Sequence, residues 1–283
     1  MIDETIEEIR EMQTHSSSVV AIKAADALRE LLDREFATVE EYERALERNG
    51  SALRRANPSH ASLQNAVREI VAAVAEADPE DVPAAKELTE SAIDSVTDRI
   101  ESGKHRAAEN AAEWFDDGMT LLTHDYSSTV LEAIDLATSA GTYLEVYVTE
   151  ARPRYLGRKT VRALAEMDRV EAHLITDSAS GYYLDECDAV VVGMDCIVED
   201  TLYNRVGTYP VAATAADVDV PLVVVGSSAK IIQSGFVFEN EFRSPSEVMR
   251  EPPEGFSVEN PAYDATPVSL LDSVITDEGT RSY

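Results

Sequence analysis

The sequence predicts an α/β protein, with an N-terminal helical domain over residues 1–115 and a parallel-sheet domain over residues 116–283. Two observations carry that division. Apolar residues in the first part recur at three- and four-residue steps and never alternate with period two, which is the pattern of helices that pack through one face. From about residue 118, short β-rich runs alternate with helical stretches, the pattern of βαβ units whose strands lie parallel in one sheet. With 44% apolar residues, the chain has enough to fill a core for both parts.

In the helical part, Ile2, Ile6, Ile9 and Met12 line one face of a first helix, and Ser16–Ser18 break or cap it. Val19–Leu32 forms a second helix. In ATVEEYERALERNGSALRRA, Thr38 stands where a cap is needed, and Glu40 and Glu41 lie in the first turn, where the helix dipole favours acid. A turn at Asn57-Pro58 opens the next helix, and residues 81–113 give a long one with Pro83 near its start. This part reads as a bundle that packs, caps or dimerises.

The strands are MTLLTH (119–124), YLEVYVT (143–149), EAHLIT (171–176), AVVVG (189–193) and PLVVVG (221–226), with helices around 128–140, 158–167, 178–184 and 207–217. The middle runs are continuously apolar, as strands covered on both faces are. Ligands of open α/β sheets bind beyond the carboxyl ends of the strands, so the residues just after each run are the candidate site.

Each run delivers polar groups there. The first ends in Thr123, His124, Asp125, Tyr126 and Ser127; the second in Glu150, Arg152 and Arg154; the third in Asp177 and Ser178; the fourth in Gly193 and Asp195; the fifth in Ser227, Ser228 and Lys230. Two readings stand for most of them. Asp125 and Asp177 cap the helices that follow or serve the site. His124 is more often a hydrogen-bonded packing histidine than a catalyst. Arg152 and Arg154 flank a proline, and a pair so held either clamps a phosphate or makes surface ion pairs. Asn204, Arg205, Gly207 and Thr208, in NRVGT, sit at a helix start, where backbone N–H groups bind anions or simply close a capped turn. Asp195 has no helix to cap and is the leading functional carboxylate. A Ser-His-Asp triad is disfavoured, because these residues are adjacent in sequence and no Gly-x-Ser-x-Gly elbow is present. No Walker loop and no Gly-x-Gly-x-x-Gly follows a strand. The residues therefore point to a small phosphorylated ligand, a sugar phosphate or a nucleotide.

Charge narrows the partners. Acidic residues number 54 against 24 basic ones, a formal net charge of -30, and lysine occurs only at positions 23, 86, 104, 159 and 230. Such a chain repels a phosphate backbone, which argues against direct nucleic-acid binding. The acid is spread along the whole chain, the pattern expected of a protein from a high-salt cytoplasm, where screening weakens self-repulsion; the alternative is an acidic partner-binding surface, which would concentrate the charge. No apolar run approaches the ~18 residues that span a bilayer. The start MIDETIEEIREM lacks the layout of a secretion signal, so a cytoplasmic location is expected. Cys187 and Cys196 are too few for a disulfide framework, lack zinc spacing and sit in apolar surroundings, which reads as buried side chains; no cofactor or metal is expected.

Several stretches together resemble a known family. THDYSSTVLEAI, VYVTEARPRYLGRKTVRALAE, VVVGMDCIVEDTLYNRVGTYPVAATA, the closing NPAYDATPVSLLDSVITDEG and the N-terminal NPSHASLQNAVREI are similar to the regulatory subunits (alpha, beta, delta) of translation initiation factor 2B. That family also holds ribose-1,5-bisphosphate isomerases and methylthioribose-1-phosphate isomerases. The resemblance implies a Rossmann-like second domain, a homodimer or larger homo-oligomer, and an initiation factor 2 subunit as a possible partner. It also implies a catalytic cysteine where this chain has Asp125, paired with an aspartate that corresponds to Asp195, and a lysine where it has Arg205. An Arg-Gly pair used on substrate phosphate is replaced by Gln13-Thr14-His15-Ser16-Ser17. Isomerisation moves protons between neighbouring sugar carbons, and a thiol near ~8.5 and a carboxyl near ~3.9 are not equivalent acids. The expected function is that of an initiation-factor-2B-like binding or regulatory protein with a degenerate sugar-phosphate site. The alternative is a ribose-1,5-bisphosphate isomerase-type enzyme in which Asp125 and Asp195 share a proton.

Overall fold

The computed structural model describes residues 2–11, 17–58, 60–232, 237–251 and 254–283. Met12, the Gln13–Ser16 stretch and Ser59 therefore lie outside the described residues. The chain divides into two compact units, Met1–Ser102 and Gly103–Tyr283.

The first unit is helical. Helix α1 (Ile2–Glu11) buries Ile6 and Ile9, the face its spacing marks. Helix α2 (Ser17–Ala27) tightens into a 3-10 turn over Leu28–Leu31, where one continuous helix was expected. Helix α3 (Val39–Ala56) begins where Thr38 accepts from the Glu41 N–H at 3.2 Å, the cap the sequence marks. Helix α4 is Ala61–Ala77 and α5 is Val82–Trp114, with Asp81 accepting from the Ala84 N–H at 2.8 Å at the start of α5. Tyr42, Leu46, Leu53, Leu63, Ile70 and Ile93 are fully buried in its core. Helix α5 ends at Trp114, and the boundary between the two units falls within it, at Ser102/Gly103. The reason is that Ala108 and Ala111 of its last turns bury in the core of the second unit.

The second unit is built on a seven-stranded sheet in the order β11-β10-β7-β4-β1-β2-β3. Its strands are β1 (Met119–His124), β2 (Leu144–Thr149), β3 (Val170–Ile175), β4 (Ala189–Gly193), β7 (Leu222–Val225), β10 (Ser273–Thr276) and β11 (Gly279–Ser282). The first five match the apolar runs to within a residue. Neighbours pair parallel except β11, which folds back antiparallel on β10. The sheet is thus mixed rather than purely parallel, because the tight Asp277-Glu278 turn reverses the chain. One face is covered by α6 (Ser128–Ser139) and α7 (Gly157–Leu164), which pack Val130, Ile134 and Leu164 on Leu121, Val146 and Val191. The other is covered by α8 (Ser180–Tyr183) and α9 (Thr208–Asp217), with Val211 and Ala212 on Val190, Val192 and Val224.

A second, four-stranded sheet, in the order β8-β5-β6-β9, is not foreseen from sequence. It comprises β5 (Cys196–Val198), β6 (Thr201–Arg205), β8 (Ile231–Ile232) and β9 (Tyr263–Pro267); α10 (Pro245–Val248) precedes β9. Its strands are two to five residues long, too short for a period to register. Strand order reverses at β1, with β2 and β3 on one side and β4, β7 and β10 on the other. The crevice of an open α/β sheet lies at such a reversal, here beyond His124 and Gly193.

Gly157 shows how closely the parts fit. A Cβ there would lie 1.8 Å from the Thr149 carbonyl oxygen, which is immovable backbone of β2. Gly157→Ala is expected to destabilise the second unit by about 3 kcal/mol or more, read as a lower denaturant midpoint in molar potassium chloride.

Candidate functional site

The crevice gathers Asp125, Asp195 and Arg205 from β1, β4 and β6. Asp125 adopts left-handed backbone geometry at φ 65°, which turns the chain out of β1. It does not cap α6; Ser127 does, accepting from the Val130 N–H at 3.3 Å. The Asp125 carbonyl accepts from Thr160 Oγ1 at 2.6 Å, which ties the turn to α7. Arg205 leaves the end of β6 and lays its guanidinium between the carboxylates, Nε lying 3.5 Å from Asp195 Oδ2 and 3.8 Å from Asp125 Oδ2. These are ion-pair distances, longer than charge-assisted hydrogen bonds. The consequence is two buried atoms with no hydrogen-bond partner, Asp125 Oδ1 and Arg205 Nη1.

Burial pushes the Asp125 carboxyl above its ordinary value, with Asp195 adding to the rise and Arg205 and His124 opposing it. Burial alone would lower Arg205, but the nearby acids, Asp195 foremost, hold its guanidinium above the ordinary value. Arg205 also lies over the Tyr263 ring, its Cζ 4.9 Å from the centroid. Lys230 is buried alongside, donates to the Met194 carbonyl at 2.8 Å and is lowered by burial.

The cleft in front of this group is lined by Asp125, Arg152, Arg154, Arg205, Arg243, Glu247 and Asn260. Arg152 and Arg154 are brought there by a turn with a cis Arg152-Pro153 bond and left-handed Ala151 and Tyr155. Asp177 holds that turn, accepting from the Ala151 and Arg152 N–H groups at 2.7 Å each. This is the role of Asp177, in place of a helix cap. Arg154 Nε lies 3.3 Å from Glu247 Oε1. Burial lowers Arg154, and the neighbouring Arg243 lowers it further. Arg243 is only 5% exposed at its side chain; Nε faces Glu241 at 3.5 Å, and Nη2 has no hydrogen-bond partner.

The remaining predicted residues lie behind the cleft. Gly207, at φ 109°, caps α9, but its N–H and that of Tyr209 both donate to Asp264, at 2.7 and 3.0 Å. The anion seat at this helix start is therefore filled by a carboxylate of the chain itself. Thr208 Oγ1 donates to the Arg205 carbonyl at 2.7 Å and accepts from Asn204 Nδ2 at 3.0 Å, so both side chains fix the course of β6 into α9. His124 is fully used as structure: Nε2 lies 2.9 Å from the Val206 carbonyl and Nδ1 2.6 Å from Thr149 Oγ1. The first contact places a proton on Nε2, since a carbonyl only accepts. Cys187 and Cys196 are buried and unpaired as expected. Burial raises the Cys187 thiol to about 12 and takes Cys196 higher still, so Cys196 is no substitute nucleophile beside Asp195. Among the described residues no cluster of three His, Cys, Asp or Glu side chains is placed to hold a metal ion. Arg243, Glu247, Asn260 and Asp264 were not singled out from sequence. They fall in long loops or a strand too short to read; the closing NPAYDATPVSLL stretch, which holds Asn260 and Asp264, and the Ser244-Pro245 helix start are the signals there.

A two-unit α/β chain with paired carboxylates at the switch point and an arginine-lined cleft defines a recognisable class. The chain belongs to the initiation factor 2 subunit family, which matches residues 13–282. It is similar to the ribose 1,5-bisphosphate isomerase of Methanocaldococcus jannaschii, with 31% identity covering 99% of this chain and 91% of that protein. It is also similar to a putative translation initiation factor eIF-2B subunit 2-like protein of Pyrococcus furiosus, at 28% identity over 97% of this chain and 94% of that one. Among solved structures, translation initiation factor eIF-2B of Pyrococcus horikoshii OT3 superposes with a TM-score of 0.82 at 26% identity, covering 99% of this chain and 96% of the other.

The Asp125 environment yields a pH prediction. A carboxyl raised in the folded state penalises folding while ionised, and the penalty fades as pH falls toward the unfolded value near ~4. Asp125→Asn leaves Arg205 paired with Asp195. It is expected to be more stable than the parent at pH 7, with the advantage shrinking as pH falls, in urea titrations of both proteins across that range.

Proposed function

We infer that this chain is a sugar-phosphate-binding, regulatory member of its family that holds its ligand without isomerising it. The observation that carries the reading is the Arg205 guanidinium between Asp125 and Asp195. An aldose–ketose isomerisation needs one group to take a proton and another to give one. Here both candidate carboxylates face the same fixed cation, and the position where the family resemblance implies a thiol carries one of them. Binding is supported by the opposite feature. Arg205 Nη1 and Arg243 Nη2 are buried donors without partners, and Asp125 Oδ1 is a buried acceptor without one, around a single cleft. A ligand with anionic oxygens and a hydroxyl supplies what all three lack. An assembly of two or more copies, with an initiation factor 2 subunit as protein partner, belongs to the same reading.

The second reading is a ribose-1,5-bisphosphate isomerase-type enzyme. It is favoured by the relatives named as isomerases and by the burial that raises Asp125, since Asp125 and Asp195 facing one cation would then share a proton as an acid–base pair.

Phosphorus NMR of ribose 1,5-bisphosphate with the purified protein in molar potassium chloride separates the two. The expected result is broadened ligand signals and no ribulose 1,5-bisphosphate. Arg243→Ala should weaken binding by about tenfold to a hundredfold, the loss of a charged hydrogen bond. Turnover abolished by Asp195→Asn would establish the enzyme reading instead.

A further inference from the structure

Glu247 occupies an unexpected place. It sits on α10, a four-residue helix that buries none of its residues. Packing therefore does not hold this segment; polar contacts do. Glu247 Oε1 lies 3.3 Å from Arg154 Nε, and Glu247 Oε2 accepts from Asn260 Nδ2 at 3.1 Å. Asn260 Nδ2 also donates to the Ser244 carbonyl at 3.0 Å, and Arg152 Nη2 to the Val248 carbonyl at 3.2 Å. Arg152, Arg154 and Asn260 all line the cleft, so the donors that fasten the segment are the donors an incoming anion would use.

We propose that Glu247 is an internal competitor for the anion seat, so that a ligand binds by displacing its carboxylate and releasing the 244–249 segment from Arg152 and Arg154. This rests on the cleft being an anion site, as inferred above. Arg205 already faces Asp125 and Asp195, and Arg243 faces Glu241. Glu247 forms the ion pair with Arg154, and Glu241 is a further acid acting on it. A tethered carboxylate competes at high effective concentration, which sets a threshold that every ligand must exceed. A phosphate monoester exceeds it more readily than a carboxylate does, because it brings nearly two charges and three acceptor oxygens to a pair of guanidinium forks. Competition of this kind lowers the affinity of all anions by one common factor, because the cost of opening the segment does not depend on what then enters.

That common factor is the test. Wild type and Glu247→Gln are titrated with inorganic phosphate and with ribose 5-phosphate by calorimetry in the same potassium chloride buffer. The glutamine keeps the side chain's length and an oxygen for Asn260, so the fold is preserved, and Glu247→Ala serves as a second variant. Both probes should bind the variants more tightly by the same factor, on the order of tenfold. Hydrogen exchange over residues 244–249 of the wild type should speed up, not slow, when ribose 5-phosphate binds. Equal binding by wild type and variants overturns the competitor role and leaves the anion site standing. Weaker binding of ribose 5-phosphate with phosphate unchanged also overturns it, since Glu247 would then be a direct ligand contact. Binding of neither probe by any of the proteins overturns the competitor role together with the anion site itself.

Discussion

Two carboxylates buried at the reversal point of a parallel sheet would not tolerate each other without a counter-charge, and the organisation of the site follows from how that charge is delivered. Arg205 reaches Asp125 and Asp195 because β6 pairs antiparallel with β5, the strand that directly follows Asp195, and because Asn204 and Thr208 lock the turn into α9. The small second sheet exists, in effect, to bring one guanidinium to the crevice. Removing either carboxylate relaxes the site, whereas removing Arg205 would strand two buried negative charges. Both carboxylates are thus engaged by one guanidinium of the chain itself.

The same economy extends to backbone donors. Asp177 accepts from Ala151 and Arg152, Asp264 from Gly207 and Tyr209, Asp272 from Leu222, Asp277 from Ser228 and Asp188 from Thr120. These five aspartates, which look like surface charge in the sequence, satisfy N–H groups at strand and helix ends. This explains why a helix start that reads as an anion site contributes nothing to the cleft. It also leaves arginine side chains, not backbone amides, as the cationic groups of the cleft. In a chain of formal net charge -30, four arginines meet at this cleft, and Glu247 is the ion-pair partner of Arg154.

What is legible in the sequence depends on whether the signal is local. The apolar runs of β1, β2, β3, β4 and β7 stand out because both faces of each strand are buried and hydropathy is a property of adjacent residues. The helices of the first unit stand out for the same reason, as does the Thr38 cap. The prominence of Asp195 is likewise local, since an acid after a buried strand and a glycine has no helix to serve. β5, β6, β8 and β9 are too short to carry a period.

The sequence by itself determined the two-part α/β architecture, the strand ends at which polar groups collect, and the identity of Asp125, Asp195, Arg152 and Arg154 as candidates. Only the tertiary structure decided what those groups do. Arg205 is the cation shared by two carboxylates, Asp177 the clamp on the arginine turn, His124 a hydrogen-bonded strut, and Arg243, Glu247 and Asn260 part of the wall of the cleft. The physical reason is sequence separation. Arg152 and the Val248 carbonyl are 96 positions apart, and His124 and the Val206 carbonyl 82, so no pattern within a window of residues can register their meeting.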